Sequence, residues 1–302
     1  MISDDNLNYF VAAPGKLNLC LHIGPTRPDG FHELVSLFDS VSLSDELTVR
    51  AGVDVGDRVV CETVDGDNLV QRALRFVRDA GLYDGPSLEV SIKKRVPIAA
   101  GMGGGSADAA AMLRVLAEIT GRSLFEFAEV AFALGADVPS QLTPGAAIVH
   151  GAGERVVTVA PWVERAYVIV AQEEGLSTAE VFAQADRAEL PEASVVDREH
   201  ALAEALAAPL DLAGLCALVS NSLEPAIVAL RPELVSVPDA LRDAGAHVAA
   251  FTGSGPTCFG VFADHGAAVH GAAELSNAGH LAHAAKPVDV EFGRPRKLSD
   301  PV

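Results

Sequence analysis

The stretch PIAAGMGGGSADAAAML, residues 97–113, crowds Gly101, Gly103, Gly104 and Gly105 ahead of Ser106 and a run of alanines. Alanine favours helix. The first turn of a helix leaves N–H groups unpaired and carries about half a positive charge. Glycines ahead of such a turn let the backbone adopt φ > 0 and close on an anion with no side chain in the way. Phosphate is the usual guest. Two common phosphate fingerprints do not fit. A P-loop needs a Lys after its glycines, and none follows here; the sixth position of a GxGxxG pattern counted from Gly101 is Ser106. By itself the run reads equally well as a hinge between a strand and a helix.

Other segments add weight. Lys16 follows a Pro-Gly turn in APGKLNLCLHI (13–23), Asp137 sits in GADVPSQL (135–142), and TGSGPT (252–257) is a second glycine-rich turn. A lone Lys is ordinarily a solvated charge and a lone Asp a cap or turn former, but chance does not readily assemble all of these around one glycine loop. Lys93, Lys94 and Arg95 form the chain's only run of three basic residues and lie just before that loop. They supply local positive charge for an anionic ligand or end a solvated strand. His280 and His283 have no evident third ligand and read as surface residues.

The elements that must position these residues follow from periodicity. Residues 9–23 read as strand, broken at Pro14-Gly15, and 34–50 as another. Leu69, Ala73, Leu74, Phe76 and Val77 recur at helical spacing within 68–80, which Gly81 ends. Residues 87–96 return to strand. Ser106 opens a helix to about Thr120, ended by Gly121, and Ser123 with Glu126 form a capping box for the next helix, which stops at Leu134-Gly135. Short strands follow at 145–150 and 155–159. A second unit starts near Pro161-Trp162, with strand 167–171, a helix capped by Ser177 and Glu180 that runs to about Ala188, helices at 198–207, 222–230 and 232–244, strands 247–251 and 258–263, helix 265–278, a last strand near 286–292 and a frayed tail. Strands and helices mix without regular alternation, so the fold class is α+β. The domains are expected at 1–160 and 161–295, with 296–302 a tail.

Bulk properties narrow the function. A length of 302 residues suits two domains, and 49% hydrophobic with 21% charged residues is globular composition. The formal charge of −19 repels nucleic acid and anionic lipid, so neither is expected as a partner. Cys20, Cys61, Cys216 and Cys258 suggest neither a disulfide framework nor a zinc site. With no signal-like start and no apolar run of about 18 residues, the expectation is a soluble, cytoplasmic protein.

The segments PGKLNL (14–19), PIAAGMGGGSADAA (97–110) and TGSGPT (252–257), in that order, resemble the motifs of the GHMP kinase superfamily over nearly the whole chain. RPDGFHEL (27–34) and GADVPSQL are most similar to the branch acting on 4-diphosphocytidyl-2-C-methyl-D-erythritol, although the aromatic of that signature is often Tyr and here is Phe31. The resemblance implies an N-terminal α+β domain with a left-handed βαβ crossover, a C-terminal ferredoxin-like domain, and ATP with Mg²⁺ as cofactors. It implies phosphorylation of the substrate's 2-hydroxyl in the non-mevalonate route to isoprenoids. Another small-alcohol kinase of the superfamily, or a non-catalytic nucleotide-binding protein on this fold, are the alternatives. The partner is a small-molecule substrate, and the chain is expected to be a monomer or homodimer.

The resemblance also implies site roles. Asp137 would accept the hydroxyl proton and Lys16 would stabilise the developing alkoxide and the γ-phosphate, placing the two within ion-pair distance. Lys94, Pro97, Ala99, Ala100, Gly101, Met102, Gly103, Gly104, Gly105 and Ser106 would bind ATP, with the Ser106 hydroxyl a candidate magnesium ligand; no dedicated protein metal site is expected. Asn18, on the same strand face as Lys16, would orient Asp137 or the substrate hydroxyl. Phe31 would stack on the nucleobase, His32 would hydrogen-bond it, Phe182 would complete a sandwich, and Thr178 would make a polar contact. The family spelling carries Pro near Ala179, and its absence here leaves the helix start open. The third motif would shape the floor of the site.

Overall fold

The computed structural model describes residues 7–53, 55–61, 68–159, 163–208 and 210–299. The expected junction at 160/161 and the last three residues of the tail lie outside the described residues. Two sheets carry the fold. In the first, β1 (Asn8–Thr26) and β2 (His32–Ala51) form a long antiparallel pair. Pro14-Gly15 does not break β1 as expected. The strand runs through with register shifts between Pro14 and Lys16 and between Asn18 and Cys20. Bulges of this kind tolerate a proline that cannot donate to the ladder.

A parallel pair, β3 (Arg58–Cys61) and β4 (Leu88–Lys93), is linked by α1 (Leu69–Asp79) to make a βαβ unit. Asn68 caps α1 by accepting from the Gln71 N–H at 2.9 Å. The next helix, α2 (Gly104–Thr120), begins ahead of the expected Ser106, because Gly103 at φ 65° serves as its N-cap and Gly104 and Gly105 fall in its first turn. Residues 107–117 of α2 are all buried, so this helix is the centre of the N-terminal core and not an amphipathic surface helix. The capping box at Ser123 and Glu126 starts a 3₁₀ turn over Leu124–Phe127 that leads into α3 (Ala128–Leu134). A single turn, α4 (Val138–Gln141), precedes the hairpin β5 (Ala146–Gly151) and β6 (Arg155–Thr158), and β5 pairs with β2.

The remaining elements are β7 (Ala166–Ala171), α5 (Thr178–Arg187), α6 (Val196–Ala205), α7 (Leu212–Leu218), β8 (Ser220–Asn221), α8 (Glu224–Leu230), a 3₁₀ turn at Pro232–Ser236, α9 (Val237–Asp243), β9 (Val248–Phe251), β10 (Cys258–Phe262), α10 (His265–Asn277), β11 (Leu281–Ala285) and β12 (Arg296–Lys297). The second sheet has the antiparallel order β11-β7-β10-β9. Numbered within the sheet this is fourth-first-third-second, the ferredoxin-like arrangement. Alternate residues of β7 go to opposite sides. Val168 and Val170 join the core under helices α5, α8, α9 and α10, while Tyr167 and Ile169 pack towards Leu17, Leu19, Val35 and Leu37 of the first sheet. Burial on both faces explains why β7 reads as an unbroken apolar run.

Four expectations from the sequence shift. The helix expected over 232–244 is split, since Pro238 cannot donate back to the preceding turn. Helix α7 was not foreseen. The strand expected at 286–292 lies instead at Leu281–Ala285, at the edge of the second sheet; Pro287, which has no N–H to donate to a ladder, makes only an isolated bridge to Val41. The tail is not frayed at its start: Arg296 and Lys297 pair with Phe10 and Tyr9 of β1. Arg114 on α2 anchors the segment before it. This buried guanidinium donates to the carbonyls of Gly293, Gln141 and Ala12 at 2.9, 2.5 and 2.8 Å. Burial pulls its pKa down to about 9.

Candidate active site

The bulged strand β1 brings Lys16 to the floor of a cavity of about 1200 Å³. Its ammonium is buried and donates to Asn18 Oδ1 at 2.6 Å and to the Gly101 carbonyl at 2.9 Å. Asp137 Oδ2 lies 3.6 Å away, and the Phe38 ring sits 4.8 Å from the charge. Burial lowers the Lys16 pKa, and the attraction of Asp137 opposes that shift. Asp137 is the N-cap residue of α4, but its side chain makes no capping bond, so the carboxylate is available to the cavity. A Cβ on Gly103 would stand 3.3 Å from both Asp137 Oδ2 and Lys16 Cε, so the N-terminus of α2 meets the pair at this glycine. Cation, carboxylate and helix N-terminus therefore converge as expected.

Asn18, expected to orient Asp137 or the substrate hydroxyl, lines the cavity and is tied into the protein around it. Its oxygen accepts from Lys16 and, at 3.2 Å, from the Thr252 hydroxyl, while its amide donates to Ser36 Oγ at 2.9 Å. It holds Lys16. The third motif supports this arrangement from below. A Cβ on Gly101 (φ 77°) would overlap the Thr252 carbonyl oxygen, and one on Gly253 (φ 55°) would come within 2.9 Å of the Gly101 oxygen. Backbone packs directly on backbone here, and only glycine permits it. Asn221 then fixes the third motif by donating to the carbonyls of Phe251 and Gly253, both at 2.9 Å.

Pro97, Ala99, Ala100, Gly101, Gly103, Gly104, Gly105 and Ser106 all line the cavity. Met102 does not. Its side chain is fully buried in the core beside Val96, and its carbonyl accepts from the Lys16 backbone N–H at 3.0 Å. Lys94 lines the cavity but is not free to act as an isolated cation. Its ammonium donates to Asp45 Oδ2 at 2.5 Å and Asp108 Oδ2 at 2.8 Å. Burial alone would lower its pKa, but Asp108 and Asp45 more than offset this and raise it. Burial, with Asp45 adding to it against the pull of Lys94, raises Asp108 to about 7. Asp45 also accepts from the N–H groups of Arg95 and Val96, tying the segment between β4 and the glycine loop to β2. The sequence analysis missed both carboxylates; the basic run at 93–95 was the only sign that partners were needed.

On the opposite wall Phe31 is 57% exposed, while Phe182 of α5 packs against His32 with ring centroids 5.1 Å apart. His32 is not a free hydrogen-bonding group. Nδ1 donates to the Gly24 carbonyl at 2.9 Å, and Nε2 faces Asp186 Oδ1 at 3.3 Å and Thr26 Oγ1 at 3.4 Å. Its ring lines the cavity beside Phe182, where the expected base contact would be made. Thr178 begins α5 after the Ser177 cap, so the helix forms without the family's proline, and its hydroxyl shares a 3.0 Å hydrogen bond with Ser254 of the third motif. Cys61, Leu69, Ile92 and Ile98 also line the cavity and give it an apolar stretch, beside the polar Asn68, that the sequence did not mark as part of a site. Leu69 had left a signal only as part of the helical spacing within 68–80.

Comparison with known proteins agrees with this geometry. Residues 68–151 match the model of the GHMP kinases N terminal domain, and 201–281 that of GHMP kinases C terminal. The chain is 38% identical to a 4-diphosphocytidyl-2-C-methyl-D-erythritol kinase of Mycolicibacterium gilvum, over 89% of this chain and 86% of that protein. It is 41% identical to one of Streptomyces coelicolor, over 82% and 85%. A crystal structure of 4-(cytidine 5'-diphospho)-2C-methyl-D-erythritol kinase superposes with a TM-score of 0.74 at 30% identity, covering 91% of this chain and 98% of that one. A homoserine kinase from Cytophaga hutchinsonii shares the fold, with a TM-score of 0.69 at 19% identity over 98% of each chain. Both halves of the molecule and its motifs thus point one way, and the chain belongs to the GHMP kinases, within the family of 4-diphosphocytidyl-2-C-methyl-D-erythritol kinases.

Proposed function

We propose that this chain transfers the γ-phosphoryl group of ATP to the 2-hydroxyl of 4-diphosphocytidyl-2-C-methyl-D-erythritol. The observation that carries the reading is Lys16 and Asp137, 3.6 Å apart, meeting the N-terminus of α2 in a single cavity. In the reaction the alcohol oxygen bonds to the γ-phosphorus, the bridge to the β-phosphate breaks, and ADP leaves. Asp137 takes the hydroxyl proton. Lys16 steadies negative charge on the attacking oxygen and the transferring group, and Asn18 and the Gly101 carbonyl hold it in place. The N–H groups at Gly103–Ser106 receive the phosphates, a role that falls to the backbone because Lys94 is already balanced by two carboxylates.

Among the described residues no group of three His, Cys, Asp or Glu could hold a metal ion. The Ser106 hydroxyl fits an ion that arrives with the nucleotide and keeps most of its waters. Magnesium bound in this way would supply charge neutralisation for the phosphates. Phe31 and Phe182 would hold the cytosine between them, with His32 backing Phe182 and Thr178 near the substrate.

ADP release is the direct test, with ATP, Mg²⁺ and the cytidine compound measured beside mevalonate, phosphomevalonate, homoserine and galactose. Turnover of the cytidine compound alone is expected; turnover confined to another alcohol overturns the substrate, and none at all overturns the kinase reading. In the same assay Phe31→Ala should raise KM for the cytidine compound about tenfold with little change in KM for ATP, since stacking of a base on an aromatic ring contributes ~1–3 kcal/mol. An unchanged KM would remove Phe31 from base recognition.

We propose also that the functional units follow residues 1–160 and 161–295, although β8 and β12 return to pair with β1. We propose a cytoplasmic location; among the described residues no helix is long and apolar enough to cross a membrane. The net charge of −19 supports a protein that does not bind nucleic acid, and we propose that it works as a monomer or homodimer.

A further inference from the structure

The signature RPDGF (27–31) contains more than the aromatic used above. Arg27 Nη1 donates to Glu154 Oε1 at 2.7 Å, and Nη2 donates to Asp29 Oδ2 at 2.7 Å. The other Asp29 oxygen accepts from the Phe31 N–H at 3.1 Å. Arg27 also donates its backbone N–H to the Phe31 carbonyl at 2.6 Å and accepts from the Gly30 N–H at 3.0 Å. Gly30, at φ 87°, makes this tight return possible. The backbone that presents Phe31 is therefore organised by Arg27.

Glu154 connects this loop to a second one. Its Oε2 accepts from the Ala152 N–H at 2.5 Å and closes the turn between β5 and β6. That turn lies against the segment carrying Asp137: a Cβ on Gly153 (φ 109°) would overlap the Ala136 carbonyl oxygen. Ala136, Asp137, Ala152 and Gly153 line the cavity together. Burial would push the Glu154 carboxyl up, but Arg27 and the backbone N–H groups of Glu154 and Ala152 hold it below the ordinary carboxylate range.

We propose that Glu154 is a positioning residue that sets the Phe31 loop against the Asp137 loop, using one carboxylate oxygen for each. The inference rests on the function proposed above, in which these loops hold the base and take the proton. It predicts that charge and both acceptors matter, not size. Glu154→Gln keeps the shape but retains one acceptor oxygen and places an NH₂ opposite a donor.

The test is steady-state kinetics of the full chain with wild type, Glu154→Gln, Arg27→Ala and the double variant. Each single variant should raise KM for the cytidine compound about fivefold, a modest effect because the pair is partly exposed. KM for ATP should stay within about twofold, and the double variant should be no worse than either single one, since both remove the same coupling. Hydrogen exchange gives a readout independent of activity: the Gly30 and Phe31 amides should exchange about tenfold faster in Glu154→Gln than in wild type. An active wild type with unchanged KM and unchanged exchange in Glu154→Gln overturns the positioning role and leaves the function standing. A wild type inactive on the cytidine compound overturns the function, and exchange then decides the positioning role alone, equal protection sinking it.

Discussion

Asp137→Asn is expected to lower kcat by about 10²–10⁴ while leaving fold and ATP affinity in place. The amide has nearly the shape of the carboxylate but cannot take a proton at neutral pH. The substitution should not disturb α4, because the Asp137 side chain makes no capping bond there. Lys16 should also stay in position, since Asn18 Oδ1 and the Gly101 carbonyl hold its ammonium at 2.6 and 2.9 Å independently of Asp137. What Lys16 does lose is the carboxylate that opposes the lowering of its pKa by burial, so the variant's Lys16 gives up its proton at a lower pH than in wild type. Single-turnover phosphoryl transfer and ATP titration, measured side by side, check both halves of the expectation. A kcat near that of wild type would take Asp137 out of proton transfer and leave catalysis to Lys16 and the α2 N-terminus. Loss of ATP binding together with kcat would instead make Asp137 a brace for the site.

The sequence made the ligand-facing backbone readable and the supporting side chains much less so. The glycine run announced itself because bare backbone next to an alanine-rich helix has few other uses. Lys16 and Asp137 stood out only in company, since either residue alone is common on a protein surface. Met102 was misplaced because a motif gives order along the chain but not side-chain direction; between two glycines in a loop, it turns into the core. For Asn18 and His32, both of which line the cavity, the polarity was visible and the protein partners were not. Those partners, Thr252 and Ser36 for Asn18 and Asp186 for His32, lie far away in sequence or on another element. The same holds for Asp45 and Asp108 around Lys94 and for Glu154 beside Arg27. Local pattern found strands and helices, but it could not foresee that the C-terminal segment returns to pair with β1.

Gly101→Ala should abolish most activity by a route unlike that of Asp137→Asn: a loss of at least about 100-fold in kcat/KM for ATP, with a fall in stability. Gly101 sits at φ 77°, where a side chain costs about 1–3 kcal/mol in strain. Its Cβ would overlap the Thr252 carbonyl oxygen and stand 3.1 Å from the Gly255 nitrogen, both backbone atoms of a packed turn. Relief requires the glycine loop and the third motif to part, and overpacking of this kind costs about 1–3 kcal/mol more. Parting them moves the Gly101 carbonyl, which accepts from Lys16 Nζ at 2.9 Å, so the ammonium shifts with the loop. Gly105→Ala is the matching control. The nearest atom to its Cβ is Leu69 Cδ1 at 3.6 Å, and it lies in the first turn of α2, where Ala is the better helix former by about 1 kcal/mol. That variant should keep or gain thermal stability, yet bind ATP more weakly, because its methyl enters the cavity wall that Gly105 lines. Thermal melts and ATP titrations of both variants separate backbone packing from ligand approach. Wild-type stability and affinity in Gly101→Ala would mean that the two glycine turns do not brace one another, and that Lys16 is held by Asn18 alone.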